Sequence, residues 1–64
     1  MKEQLEAVLR NRLSSRIQEL SVDLQNDRIV LRGWTRSYYF KQLAQEIVTQ
    51  VSGISVSAND IEVR

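Results

Sequence analysis

"LSVDLQNDRIVLRGW", Leu20 to Trp34, is the stretch whose reading decides the fold. Leu20, Val22 and Leu24 alternate with Ser21, Asp23 and Gln25, and Ile29 and Leu31 alternate with Arg28, Val30 and Arg32. A period of two is that of half-buried strands. Asn26-Asp27 lies between the runs, and both residue types tolerate the left-handed conformations of tight hairpin turns. A two-residue turn there pairs Leu24 with Ile29 and Val22 with Leu31, placing both apolar sets on one face. A slip of one residue would turn one set into water, so pattern and turn agree on the register. The opposite face then carries Asp23, Gln25, Arg28, Val30 and Arg32 and extends to Trp34.

Downstream, the spacing predicts a helix over 38–51. Ser37 is its N-cap, because a hydroxyl there accepts a free N–H of the first turn. Phe40, Leu43, Ala44, Ile47, Val48 and Val51 form its apolar stripe. Gly53 lies just beyond, where a left-handed cap ends helices. "ISVSANDIEVR" then reads as a last strand. Its alternation changes phase, with Ile54, Val56 and Ala58 even but Ile61 and Val63 odd, so a bulge or bend is expected near Asn59.

Upstream, "KEQLEAVLRNRL" reads as a first helix, with Leu5, Val8, Leu9 and Leu13 on one side. Glu3 and Glu6 come early and Arg10 and Arg12 late, as the helix dipole favours. Arg12 falls near the middle of the stripe, its stem at the core edge and its head in water. "SSRIQE" then breaks the pattern. The expected architecture is α+β in the order α-β-β-α-β. It is a three-stranded mixed sheet with two helices packed on one face, the last strand parallel to the second where the two are neighbours.

Composition narrows the function. The 64 residues make one small domain, and a chain of this size buries about 60% of its unfolded surface. There is no cysteine and no histidine, so neither thiolate chemistry nor the commonest general base and metal ligand is available. Asp23, Asp27, Asp60 and Glu62 are the acids near the strands, with no evident acid–base partnership, and a metal would have oxygen ligands alone. The serines lack a histidine base. No catalytic residue, no metal site and no cofactor is expected. Net charge is +1, which provides no strong field for nucleic acid or a membrane. There is no Gly-x-x-Gly phosphate loop and only Trp34 faces the sheet, so no nucleic acid is expected as a partner. The apolar runs are too short for a transmembrane helix or a signal h-region.

All four aromatic residues, Trp34, Tyr38, Tyr39 and Phe40, fall within "GWTRSYYFKQ", together with Arg36 and Lys41 and next to Arg32. Phe40 belongs to the helix stripe. Tyr39 flanks it, with its ring packed and its hydroxyl exposed. Tyr38 points about 160° away from the stripe and is exposed. Trp34 has two readings. It folds over the sheet end onto the second helix, or it anchors a lipid headgroup region or a partner at a wet–apolar boundary. Arg28, Arg32 and Arg36 likewise form either a solvated face paired with Asp23 and Glu62 or a weak phosphate-binding stripe. The candidate binding residues are Arg32, Trp34, Arg36 and Tyr38.

The chain resembles the BON domain, the bacterial OsmY and nodulation module. The resemblance rests on Leu20, Val22, Leu24, Ile29, Leu31, Gly33, Ser37, Gly53, Ile54, Asn59, Ile61 and Val63. Two positions depart from the family pattern: Asp27 replaces a turn glycine, and Ser57 replaces a last-strand valine. The resemblance implies the same α-β-β-α-β order and a non-enzymatic binding or attachment module. It implies anionic phospholipid surfaces or protein partners as targets, and often a cell-envelope setting. It carries over no catalytic residue and no fixed lipid-contact motif. The first alternative is self-association or protein docking, in which an edge strand or the open face with Val30 and Trp34 meets a second copy or another domain, and a nucleic-acid-binding module ranks behind it.

Overall fold

The structure, a computed structural model, describes Met1–Arg64. Helix α1 spans Lys2–Leu13, β1 Ile17–Gln25, β2 Arg28–Thr35, α2 Tyr38–Ser52 and β3 Val56–Val63. The sheet order is β1-β2-β3, antiparallel between β1 and β2 and parallel between β2 and β3. This is the expected α+β architecture. Along β2, Ile29, Leu31 and Thr35 are buried while Arg28 and Arg32 are exposed. One sheet face is therefore covered by the helices and the other is open. Eleven buried hydrophobic residues make a single core, from Leu5, Leu9 and Leu13 of α1 through Ile17, Val22, Ile29, Leu31 and Ile61 of the sheet to Ala44, Ile47 and Val48 of α2.

The hairpin has the predicted register, with Leu24 opposite Ile29 and Val22 opposite Leu31. Asn26 and Asp27 both have positive φ, 48° and 65°. That is the signature of the mirror-image turn whose twist matches paired strands. Strand β1, however, starts at Ile17, inside the segment that breaks the sequence alternation. The reason is a bulge. Gln18 pairs with Trp34 and Ser21 with Arg32, so Glu19 and Leu20 together face Gly33. The extra residue shifts the phase, so odd-numbered Ile17 and even-numbered Val22 are buried on the same side. Glu19 takes the positive φ, 53°, that the bulge requires.

Strand β3 also contains a bulge, but earlier than Asn59. Val56 pairs with Ile29 and Ala58 with Val30, leaving Ser57 as the extra residue. Ala58 consequently lies beside Val30 on the open face and not in the apolar set of Ile54 and Val56. Asn59, now facing α2, donates from Nδ2 to the Lys41 carbonyl at 2.9 Å and to Gln45 Oε1 at 3.2 Å.

Helix α2 has the expected caps. Ser37 Oγ accepts from the Tyr39 N–H at 3.2 Å, and Gly53 adopts φ 74° while its N–H donates to the Thr49 carbonyl. Val51 does not join the core: it is 46% exposed, in the last turn of the helix. No helix is long and apolar enough to cross a membrane.

Candidate functional site

The two bulged strands and two turns meet at one end of the sheet. There Ile17 pairs with Thr35 and Thr35 pairs with Val63, so the entry to β1, the exit from β2 and the end of β3 lie side by side. Thr35 is the one buried polar residue, 1% exposed. Its hydroxyl donates to the Arg16 carbonyl at 2.8 Å and accepts from the Ser37 N–H at 3.4 Å. Its own carbonyl accepts from the Arg64 N–H at 2.8 Å. A buried hydroxyl without partners would be costly. Here it fastens the α1–β1 turn to the β2–α2 turn.

This fastening groups aromatic rings and guanidinium groups. Trp34 remains on the open side, partly buried between Gln18 and Glu62 on the flanking strands. The Arg64 guanidinium carbon lies 4.7 Å from its ring centroid and that of Arg36 lies 5.6 Å away. On the neighbouring turn, Arg16 lies 5.3 Å from the Phe40 centroid. A guanidinium over an aromatic face is attracted by the ring quadrupole. Between the two turns lies a cavity of 330 Å³ lined by Ser15, Arg16, Gln18, Trp34, Thr35, Arg36, Ser37 and Phe40. No acidic residue lines it.

The predicted site residues do not form one cluster. Trp34 and Arg36 line this end cavity. Arg32 lies in a separate hollow of 210 Å³ on the open face, with Asp23, Gln25, Arg28 and Val30. Tyr38 lines neither; it is 60% exposed and its hydroxyl accepts from Gln42 Nε2 one helical turn on. Tyr39 is 65% exposed, so its ring is not packed as expected. It meets the half-buried Phe40 edge-on, with centroids 5.3 Å apart, and otherwise faces solvent. The arginine stripe is also divided. Arg32 pairs with Asp23 at 3.8 Å, as the solvated-face reading anticipates, but Glu62 pairs with Arg64 at 3.5 Å and with none of the stripe. Exposed pairs of this kind contribute about 0–1 kcal/mol.

Sequence reasoning missed Arg16, Thr35 and Arg64. Arg16 lies in the segment that breaks the alternation; the hairpin register alone would carry it opposite Ser37, and the β1 bulge shifts it by one residue, with Ile17 opposite Thr35. Arg64 was accessible in principle: after the Ser57 bulge, Ala58, Asp60, Glu62 and Arg64 follow one another along the open side, which brings Arg64 toward Trp34. No three acidic, histidine or cysteine groups gather as a metal site would require.

No curated protein and no solved structure matches the chain. A family model does match. The glycine beneath the β1 bulge, the Ser cap of α2 and the Asn that joins β3 to α2 all lie within its reach. The model is that of the BON domain, it matches residues 2–64, and the chain belongs to that family.

Proposed function

We propose that the chain is a non-enzymatic attachment module that docks on anionic phospholipid surfaces with the end of the sheet carrying Trp34 and Arg36. Membership of the BON family supports the coarser part, a binding or attachment module. One observation carries the finer part. Trp34 is held under two guanidinium groups, while Tyr38 and Tyr39, on the adjoining first turn of α2, are 60% and 65% exposed. Aromatic rings beside arginines suit a membrane interface. The rings favour the boundary between headgroups and acyl chains, and arginine forks grip phosphate oxygens. Arg32 and Tyr38 contribute at the margins of this surface.

The test is an amide NMR titration with anionic and zwitterionic lipid micelles, with protein concentration varied in parallel. Salt-sensitive shifts at Trp34, Arg36 and Tyr38 with anionic lipid alone support the reading, because screening weakens surface electrostatics. No lipid response, together with concentration-dependent shifts at Val30 and Arg32, overturns it in favour of self-association through the open face.

A further inference from the structure

We infer that the cavity between the α1–β1 and β2–α2 turns is a phosphate site, with Arg16 and Arg36 as its two cationic ligands. The inference rests on the attachment reading for one source of the phosphate, a lipid headgroup, but its residues are read from the cavity itself.

Five observations converge. The cavity has two arginines and no acid in its lining. The chain's ion pairs are Arg10–Glu6, Arg32–Asp23 and Arg64–Glu62, so Arg16 and Arg36 are left without an internal counter-ion. Each of the two is supported by an aromatic ring, Arg16 by Phe40 and Arg36 by Trp34. A supported guanidinium has less freedom to lose when it binds, which favours a forked grip on an oxyanion. Thr35 clamps the Arg16 backbone at 2.8 Å, fixing the two turns relative to each other. The Ser37 oxygen already accepts from the Tyr39 N–H, which leaves its O–H proton free to donate.

The other hollow is the internal comparison. It also holds two arginines, but Asp23 lies among them and pairs with Arg32. An anion entering there competes with a carboxylate already in place. The end cavity offers uncompensated positive charge, and at 330 Å³ it has room for a phosphate with a small organic substituent.

The experiment uses isotope-labelled protein in two arms. In one, amide shifts are followed with inorganic phosphate and with glycerol phosphate, against chloride at matched ionic strength. In the other, the protein is sedimented with vesicles of phosphatidylglycerol or of phosphatidylcholine. Shifts specific to the phosphates at Ser15, Gln18 and Ser37 are expected. Arg16→Gln should weaken the glycerol phosphate interaction about tenfold, the scale of one lost charge-assisted bond. Arg16→Lys should restore part of it, and Arg28→Gln should leave it unchanged. Equal shifts with chloride, or shifts centred on Arg28 and Arg32, overturn the site. Vesicle binding that survives Arg16→Gln intact overturns the site and leaves the attachment reading standing. A phosphate response at the cavity without vesicle binding does the reverse.

Discussion

The carboxylate of Glu6 accepts a hydrogen bond from the backbone N–H of Val22 at 2.9 Å, so α1 partly closes the outer edge of the sheet. Val22 is fully buried, and in the hairpin register its N–H points away from β2. An unpaired donor on an edge strand is a site for pairing with another chain. Glu6 satisfies that donor, and Arg10 lies 4.0 Å from its other oxygen. We predict that Glu6→Ala costs about 1–2 kcal/mol, the scale of a bond to a charged group whose partner is left unsatisfied. Glu6→Gln, which retains an acceptor, should cost less. Urea unfolding at constant slope measures both. Equal losses in the two variants would show that the hydrogen bond is not what stabilises this edge.

Gly33 is held by the β1 bulge. Its φ is 144°, and a Cβ placed there would lie 2.7 Å from the Gln18 carbonyl oxygen and 3.2 Å from the Leu20 Cα. Those are backbone atoms, which have no rotamer to escape into. Gly33→Ala should therefore destabilise by about 1–3 kcal/mol through strain. For a domain of this size the total stability is about 3–10 kcal/mol, so the loss is large. A thermal melt unchanged by this substitution would mean that the bulge does not press on Gly33. Because the bulge also positions Arg16, the same variant should disturb amide signals at Ser15 and Arg16.

Much of the fold was legible because one face of the hairpin is apolar. Leu24 opposite Ile29 and Val22 opposite Leu31 follow from the period of two and a two-residue turn, with no tertiary information. The caps Ser37 and Gly53 were legible because their roles are local. The bulges were not. Ile17 is out of phase with Val22, and in a sequence this looks like the end of a strand; it becomes a bulge only once Gly33 is seen across the ladder. In β3 the phase change was visible, but Ala58 counts as apolar beside Ile54 and Val56 and so drew the expected bulge toward Asn59, two residues past Ser57. The partner strand decides, because placing the extra residue at Ser57 turns Asn59 toward α2, where its amide has acceptors. The site was half legible for a related reason: Trp34 and Arg36 are close in sequence, whereas Arg16 meets them across the ladder, where the bulge shifts the register by one residue.

Asn59 joins the last strand to the middle of α2. Its Nδ2 donates to the Lys41 carbonyl and Gln45 Oε1, and its Oδ1 accepts from the Ile61 N–H at 3.3 Å. Asn59→Ala should cost about 1–3 kcal/mol, since it removes a donor from half-buried acceptors. Asn59→Asp should cost more at neutral pH. The Gln45 amide can turn over, but the Lys41 carbonyl cannot, and it would then face a carboxylate. If the Asp variant melts above the Ala variant at neutral pH, the donor role of Asn59 is wrong.

Asp27 bears the opposite kind of strain to Gly33, a side chain where glycine would be easier. With φ at 65°, it occupies the left-handed region in an exposed turn. Asp27→Gly should stabilise the fold by about 0.5–1 kcal/mol, the relief of that conformation less the added freedom of the unfolded chain. Chemical denaturation of the two proteins side by side gives the sign. Unchanged or lower stability would mean that Asp27 makes a compensating interaction in the turn.

Arg32 and Arg36 are both candidate binding residues, and they line different hollows. Arg32 lies in the open-face hollow beside Asp23, whereas Arg36 lies over Trp34 at the end cavity with no carboxylate partner. The double change Arg32→Glu, Arg36→Glu should abolish salt-sensitive binding to phosphatidylglycerol vesicles. Arg36→Glu alone should account for most of that loss. An arginine whose charge is already partly offset has less to give a phosphate, and reversing it changes the local field at a face that also carries Asp60 and Glu62. Vesicle sedimentation of the two single variants and the double variant resolves the contributions. A loss confined to Arg32→Glu would move the binding surface from the sheet end to the open face, and a double variant that binds as well as the parent would remove both arginines from it.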